Sequence, residues 1–103
     1  MKHTPGPWIV SKLPEQYDHD CINANGPIMV AKVIRKHMRP DELAANANLI
    51  AAAPDLLALL RQTANYILSA HDEAESDGDI AVAQHSRKLL DNIWEAIKKA
   101  EGG

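Results

Sequence analysis

The densest concentration of chemically capable side chains is a basic run, Lys32, Arg35, Lys36, His37 and Arg39, in a chain whose formal net charge is −3. Guanidinium and ammonium groups gathered this closely can hold phosphates through charge-assisted hydrogen bonds. A helix opening just beyond the run would add backbone N–H donors and the positive end of its dipole. The competing reading is a solvated connector whose charges keep a sheet edge from pairing with other chains. Two residues elsewhere could meet a base: Trp8 by stacking and Asn46 through its amide. The candidate ligand-binding set is therefore Lys32, Arg35, Lys36, Arg39, Asn46 and Trp8. Trp8 has a structural alternative, an anchor packing sheet onto helix in a chain with no Phe. Asn46, like Asn48, is a poor helix-interior residue, expected either to bond backbone or a neighbouring chain or to lie in solvent.

The other reactive side chains assemble into nothing recognisable by spacing. His3, His19, His37, His71 and His85 include no pair at helical i, i+4 spacing, and no cysteine pair accompanies them. His19-Asp20-Cys21 offers at most a few ligands at a strand entrance, fewer than a closed metal site needs. Ser86 has His85 beside it and Asp91 nearby, but closeness in sequence is not triad geometry. Neither a nucleophile elbow nor a phosphate-binding loop is present. The acidic stretch from Asp72 to Asp79 lacks the Glu-terminated spacing of a calcium loop and reads as a solvated turn. We expect no catalytic residues, no metal, no cofactor and no enzyme activity.

The elements that would position these residues are legible from pattern and punctuation. Thr4-Pro5-Gly6-Pro7 is a helix-incompatible lead-in, and Trp8-Ile9-Val10 reads as a short edge strand. Residues Ser11 to Asp20 read as a loop. Asn25-Gly26, between two β-rich runs, is the preferred dipeptide of a tight hairpin because both residues tolerate positive φ. Pro27 allows a longer loop. The strand that follows would place Ile28, Val30 and Ile34 on one face and Met29, Ala31 and Val33 on the other, so both faces are apolar and both invite cover. Pro40-Asp41-Glu42 opens a helix with Leu43, Ala47 and Ile50 on one face. Pro54 should end it near Ala52 or Ala53, push Ala53 out of the α region, and begin a second helix. That helix carries the stripe Leu56, Leu57, Leu60, Ala64, Ile67 and Leu68 and runs out in the acidic stretch. Asp79 is a plausible N-cap for a third helix, with Leu89, Ile93, Ile97 and Ala100 as its stripe, broadened by Leu90 and Trp94. The fold class is α+β: a short N-terminal antiparallel sheet, then three α-helices, the last two an antiparallel hairpin.

At 103 residues the chain fits one domain, read here as 1–103 with a β region over 1–39 and a helical region over 40–101. Its apolar content is rich in alanine, which buries little area per residue. A small core of that kind favours a homo-oligomer, at least a dimer, held by the outer face of the sheet or by the helical hairpin. A pI near 5.9 speaks against sequence-independent nucleic-acid binding. The single cysteine, Cys21, permits no intrachain disulfide. No apolar run approaches the length of a membrane span, and the start has no apolar core of a signal peptide.

Two segments, Thr4-Pro5-Gly6-Pro7-Trp8 and the run from Ala45 through Ala53-Pro54-Asp55-Leu56-Leu57, together resemble a family of small proteins from tailed bacteriophages and prophages. Members of that family resemble this chain in carrying both segments around a short β region and in ending near Lys99-Ala100-Glu101-Gly102. The resemblance implies a phage accessory protein acting in the cytoplasm of a bacterial host, and it implies no reaction. Two functions compete. One is sequestration of a host nucleotide immune signal, a cyclic nucleotide or other phosphate-bearing small molecule, by the basic junction of an oligomer; its kinship to known phage sponge proteins is analogy of fold alone. The other is a protein–protein module that inhibits a host protein or serves as a structural accessory.

Overall fold

The computed structural model describes residues His3 to Gly102. The elements run β1 (Trp8–Ser11), β2 (His19–Ala24), β3 (Ile28–Ile34), α1 (Pro40–Ala51), α2 (Ala53–Asp77) and α3 (Ile80–Ala100). This is the expected α+β order. The chain divides into two compact units whose boundary lies between Leu56 and Leu57.

In the N-terminal unit the three strands form an antiparallel sheet in the order β1-β2-β3. Asn25 and Gly26 both adopt positive φ, 48° and 78°, as the hairpin requires. Ala24 pairs with Ile28, so the loop holds Asn25, Gly26 and Pro27. One feature departs from the expected alternation. Ile22 pairs with Ala31 but Asn23 pairs with Met29, leaving Val30 as a bulge. A bulge inserts one residue and flips the side-chain parity beyond it. Met29 therefore shares the outer face with Lys32 and Ile34, not the inner face with Ala31 and Val33.

The inner face meets α1. Ile22, Val33 and Ala47 are buried together, with Trp8, Val10, Ala31, Leu43, Ile50 and Ala51 packed around them. Leu43, Ala47 and Ile50 thus act as the apolar face read from the sequence. The lead-in is fitted to the far end of this layer. The Gly6–Pro7 peptide is cis, and a Cβ added at Gly6 would stand 3.0 Å from the Pro54 Cβ. The two motif segments, 4–8 and 45–57, therefore meet at Gly6 and Pro54.

The break before Pro54 falls at Ala52. Ala52 N–H closes α1 on Asn48 O at 3.0 Å, and Leu56 N–H opens α2 on Ala52 O at 2.9 Å. Ala53 belongs to α2, one residue earlier than expected. A following proline disfavours the α conformation through its Cδ, but alanine has the smallest Cβ to clash, and Pro54 remains in the first turn, where its missing N–H costs little.

The C-terminal unit is a helical pair. Leu57 and Ala64 of α2 and Leu90, Ile93 and Ile97 of α3 form its core, joined by Leu60 and Ile67. The buried line on α3 is Ser86, Leu90, Ile93 and Ile97, so the stripe is rotated from the expected one: Leu89 and Trp94 are 42% and 43% exposed, and Leu68 on α2 is 40% exposed. Apolar residues outnumber the positions that a two-helix seam can cover, and periodicity alone does not choose among them. The acidic stretch is helical through Asp77, and the chain turns only at Gly78, whose φ is 74°. Asp79 caps α3 as expected, its Oδ1 accepting from Val82 N–H at 3.2 Å. Among the described residues no single helix is long and apolar enough to cross a membrane.

Candidate functional site

The basic run lies where β3 leaves the sheet. Strand alternation sends Lys32 to the outer face, where it pairs with Cys21 in register. Arg35 returns to the inner side, and both of its terminal nitrogens are engaged. Its Nη2 donates to Asp20 Oδ1 at 2.6 Å and to Leu13 O at 2.7 Å, and its Nη1 donates to Tyr17 O at 3.0 Å. Asp20 Oδ1 also accepts from Leu13 N–H at 3.2 Å. Asp20 is buried. The Arg35 guanidinium holds its carboxyl below the ordinary aspartate range; burial opposes this, and the Leu13 N–H adds to it. One arginine thus ties the whole β1–β2 loop to the end of β3.

Beyond it, Arg35 O accepts from Met38 N–H at 3.1 Å, closing a turn. His37 has a φ of 68° there, the left-handed position of a type II turn. Lys36 is exposed in that turn. Arg39 precedes α1 and pairs with Glu42 at 2.9 Å. Neither Lys32 nor Lys36 forms an ion pair among the described residues. A groove of about 350 Å³ beside Arg35 is lined by Lys12 and Met38 but also by Glu15 and Asp20, two carboxylates that oppose a phosphate.

The other two candidates stand apart. Trp8 packs in the inner core, its indole N–H donating to Thr4 O at 3.1 Å. Asn46 is exposed on α1 and reaches Met38 Sδ at 3.4 Å. The structure therefore joins Asn46 to the connector only through Met38, and it separates Lys32 from the Arg35 head group by the thickness of the sheet. His19, Asp20 and Cys21 are split in the same way: Asp20 faces inward to Arg35, while His19 pairs with Asp18 at 2.8 Å. No group of three or more His, Cys, Asp or Glu side chains suited to a metal ion occurs among the described residues.

Two arrangements were not evident from spacing. The first joins the helices of the C-terminal unit. Buried His71 on α2 places Nδ1 2.9 Å from Ala83 O and 3.1 Å from Ser86 Oγ, and pairs through Nε2 with Glu75. Ser86 Oγ itself donates to Val82 O, 2.8 Å away. A serine–histidine–carboxylate order invites comparison with a nucleophilic triad, but the geometry argues otherwise. A carbonyl only accepts, so the proton on Nδ1 points at Ala83 O, and that nitrogen has no lone pair to take a proton from Ser86. The group is a clasp between helices. The i, i+4 spacing of His71 and Glu75 was the only signal for it in the sequence.

The second is the outer face of the sheet. Ile9, Met29 and Ile34 are 61%, 50% and 43% exposed. They surround Cys21, whose Sγ lies 3.7 Å from Met29 Sδ. Asn23 donates to Ser11 Oγ at 2.9 Å across the same face, and Lys32 stands on it as the cation. The face thus interleaves exposed apolar side chains with Ser11, Asn23 and Lys32.

The fold is that of a small α+β protein, a three-stranded antiparallel sheet followed by three helices. The family model described as Salmonella phage P22 protein Y8K6 matches residues 1–103. The chain belongs to that family and is a small phage-associated protein. No curated protein and no solved structure matches it.

Proposed function

We propose that this phage protein is a non-enzymatic interaction module that binds a partner protein of the bacterial host through the outer face of its sheet. The observation that carries the reading is the exposed apolar set Ile9, Met29 and Ile34 around Lys32. A partner suited to it presents an apolar patch with a carboxylate placed to meet Lys32.

The alternative, sequestration of a host nucleotide immune signal in the cytoplasm, asks more of the basic junction. Arg35 would have to leave Asp20 and two loop carbonyls, and Arg39 would have to leave Glu42. That leaves Lys32 on the strand and Lys36 in the turn four residues further along.

Two measurements separate the readings. In pull-downs from host lysate, Ile34→Glu should abolish a stoichiometric partner that the parent chain retains, while far-UV circular dichroism stays unchanged. In a thermal-shift panel of cyclic di- and trinucleotides, Tm should not move at ligand excess. A shift abolished by Lys36→Ala, with no protein retained, would reverse the preference.

A further inference from the structure

The C-terminal unit exposes a second surface, independent of the sheet. On an antiparallel helical pair, residues that lie just before the seam positions on both helices face the same flank. Here that flank carries Thr63 and Ala70 of α2 and Val82, Leu89 and Ala96 of α3. Thr63 to Ala70 and Val82 to Leu89 to Ala96 are heptad steps, the spacing of a second packing seam. Val82 and Leu89 are 48% and 42% exposed. The opposite flank is different in kind: beside Leu68 and Trp94 it carries Glu75, Arg87 and the Arg61–Glu101 pair at 3.2 Å. The hairpin thus has one flank that mixes charged with apolar residues and one free of charged residues, with small residues at which helices can approach closely.

Charge along the hairpin selects the occupant. Asp72, Glu73, Glu75, Asp77 and Asp79 crowd the turn end, with no Lys or Arg from 69 to 85. Arg61, Lys98 and Lys99 stand toward the open end, together with Glu95 and the paired Glu101. A second hairpin laid antiparallel on the apolar flank sets each acidic turn over the other's open end, where Arg61, Lys98 and Lys99 balance the carboxylates. A parallel copy would bring the two acidic turns together, which like-charge repulsion opposes. The area is sufficient. A two-helix face roughly 32 Å long and roughly 18 Å wide gives roughly 1,200 Å² over two copies, the lower edge of a stable interface.

We propose that a second copy of this chain covers the flank of Ala70 and Leu89, the two hairpins forming an antiparallel four-helix bundle. Up-and-down bundles are the common solution for hairpins with surplus apolar positions.

Light scattering on the full chain should give twice the 11.3 kDa monomer mass. Leu89→Glu and, separately, Ala96→Glu should halve that mass with helicity retained, whereas Trp94→Gln on the opposite flank should leave it unchanged. A monomer at high concentration, or a dimer insensitive to both glutamates, overturns the proposal. Orientation is read by a nitroxide at Ser76→Cys in a Cys21→Ser background. An antiparallel bundle separates the two labels by roughly the hairpin's length, about 30 Å; a separation under about 20 Å would show the parallel arrangement and overturn the charge argument.

Discussion

Each of the two units of this protein is held together internally by its own kind of force. The sheet unit depends on individually placed polar contacts: Arg35 on Asp20 and the loop carbonyls, a positive-φ turn at Asn25-Gly26, and a glycine that lets Pro54 approach. The helical unit depends on a repeated apolar seam, with one buried clasp at His71. Removing one partner of a buried polar set leaves the other unsatisfied, which is where its cost arises, whereas the cost of a change in a seam follows the apolar volume removed. The difference also bears on function. A polar lock holds the outer face of a thin sheet in shape, whereas a seam with surplus apolar positions invites more helices.

The largest expected effect follows from breaking the lock. Arg35→Met leaves the buried Asp20 carboxylate without its cation and should cost about 3 kcal/mol in urea unfolding, with faster hydrogen exchange in β1 and β2. The same pair sets a pH dependence. The folded pKa of Asp20 is lowered by Arg35, so its stabilisation is fully present above the unfolded value, near 3.9, and is lost as the pH falls through the folded one. Stability measured between pH 6 and pH 2 should therefore fall, and Asp20→Asn should flatten that fall.

Gly6→Ala comes next. Its Cβ would stand 3.0 Å from the Pro54 Cβ, and a ring that cannot rotate away gives overpacking of about 1–3 kcal/mol. Unchanged thermal stability would mean that the lead-in is not held against Pro54. In the helical unit, His71→Leu removes the clasp and should cost about 1–2 kcal/mol by chemical denaturation. An equal or larger loss than in Arg35→Met would erase the contrast between the units. The smallest effect is that of Asp79→Ala, which deletes the α3 cap and should cost about 1 kcal/mol, read as fraying of the first turn by hydrogen exchange.

What the sequence made legible was local chemistry. Asn25-Gly26, Pro54 and Asp79 announce a hairpin, a helix break and a cap because each acts through its own backbone or its nearest neighbours. The apolar face of α1 was legible for a similar reason, since 3.6-residue spacing leaves few choices for Leu43, Ala47 and Ile50. The bulge at Val30 was hidden, because both faces of β3 are apolar and no residue type marks the slip. The role of Arg35 was hidden too: its partners are on β2 and the loop before it, more than a dozen residues away, and a basic run reads the same whether its charges are free or paired. On α3, the choice between Leu89 and Leu90 for the seam depended on where α2 lies. His71 and Ser86 were read apart because only the antiparallel pairing brings them together.

If the outer face of the sheet, and not the basic connector, meets a partner protein, site-specific photo-crosslinking in bacteria will show it, with a benzophenone amino acid installed at Met29 in one protein and at Lys36 in another. The expected result is a discrete adduct with a host protein from Met29, abolished by Ile34→Glu, and none from Lys36. Adducts from Lys36 alone, or a Met29 adduct of only twice the chain's own mass, would contradict it.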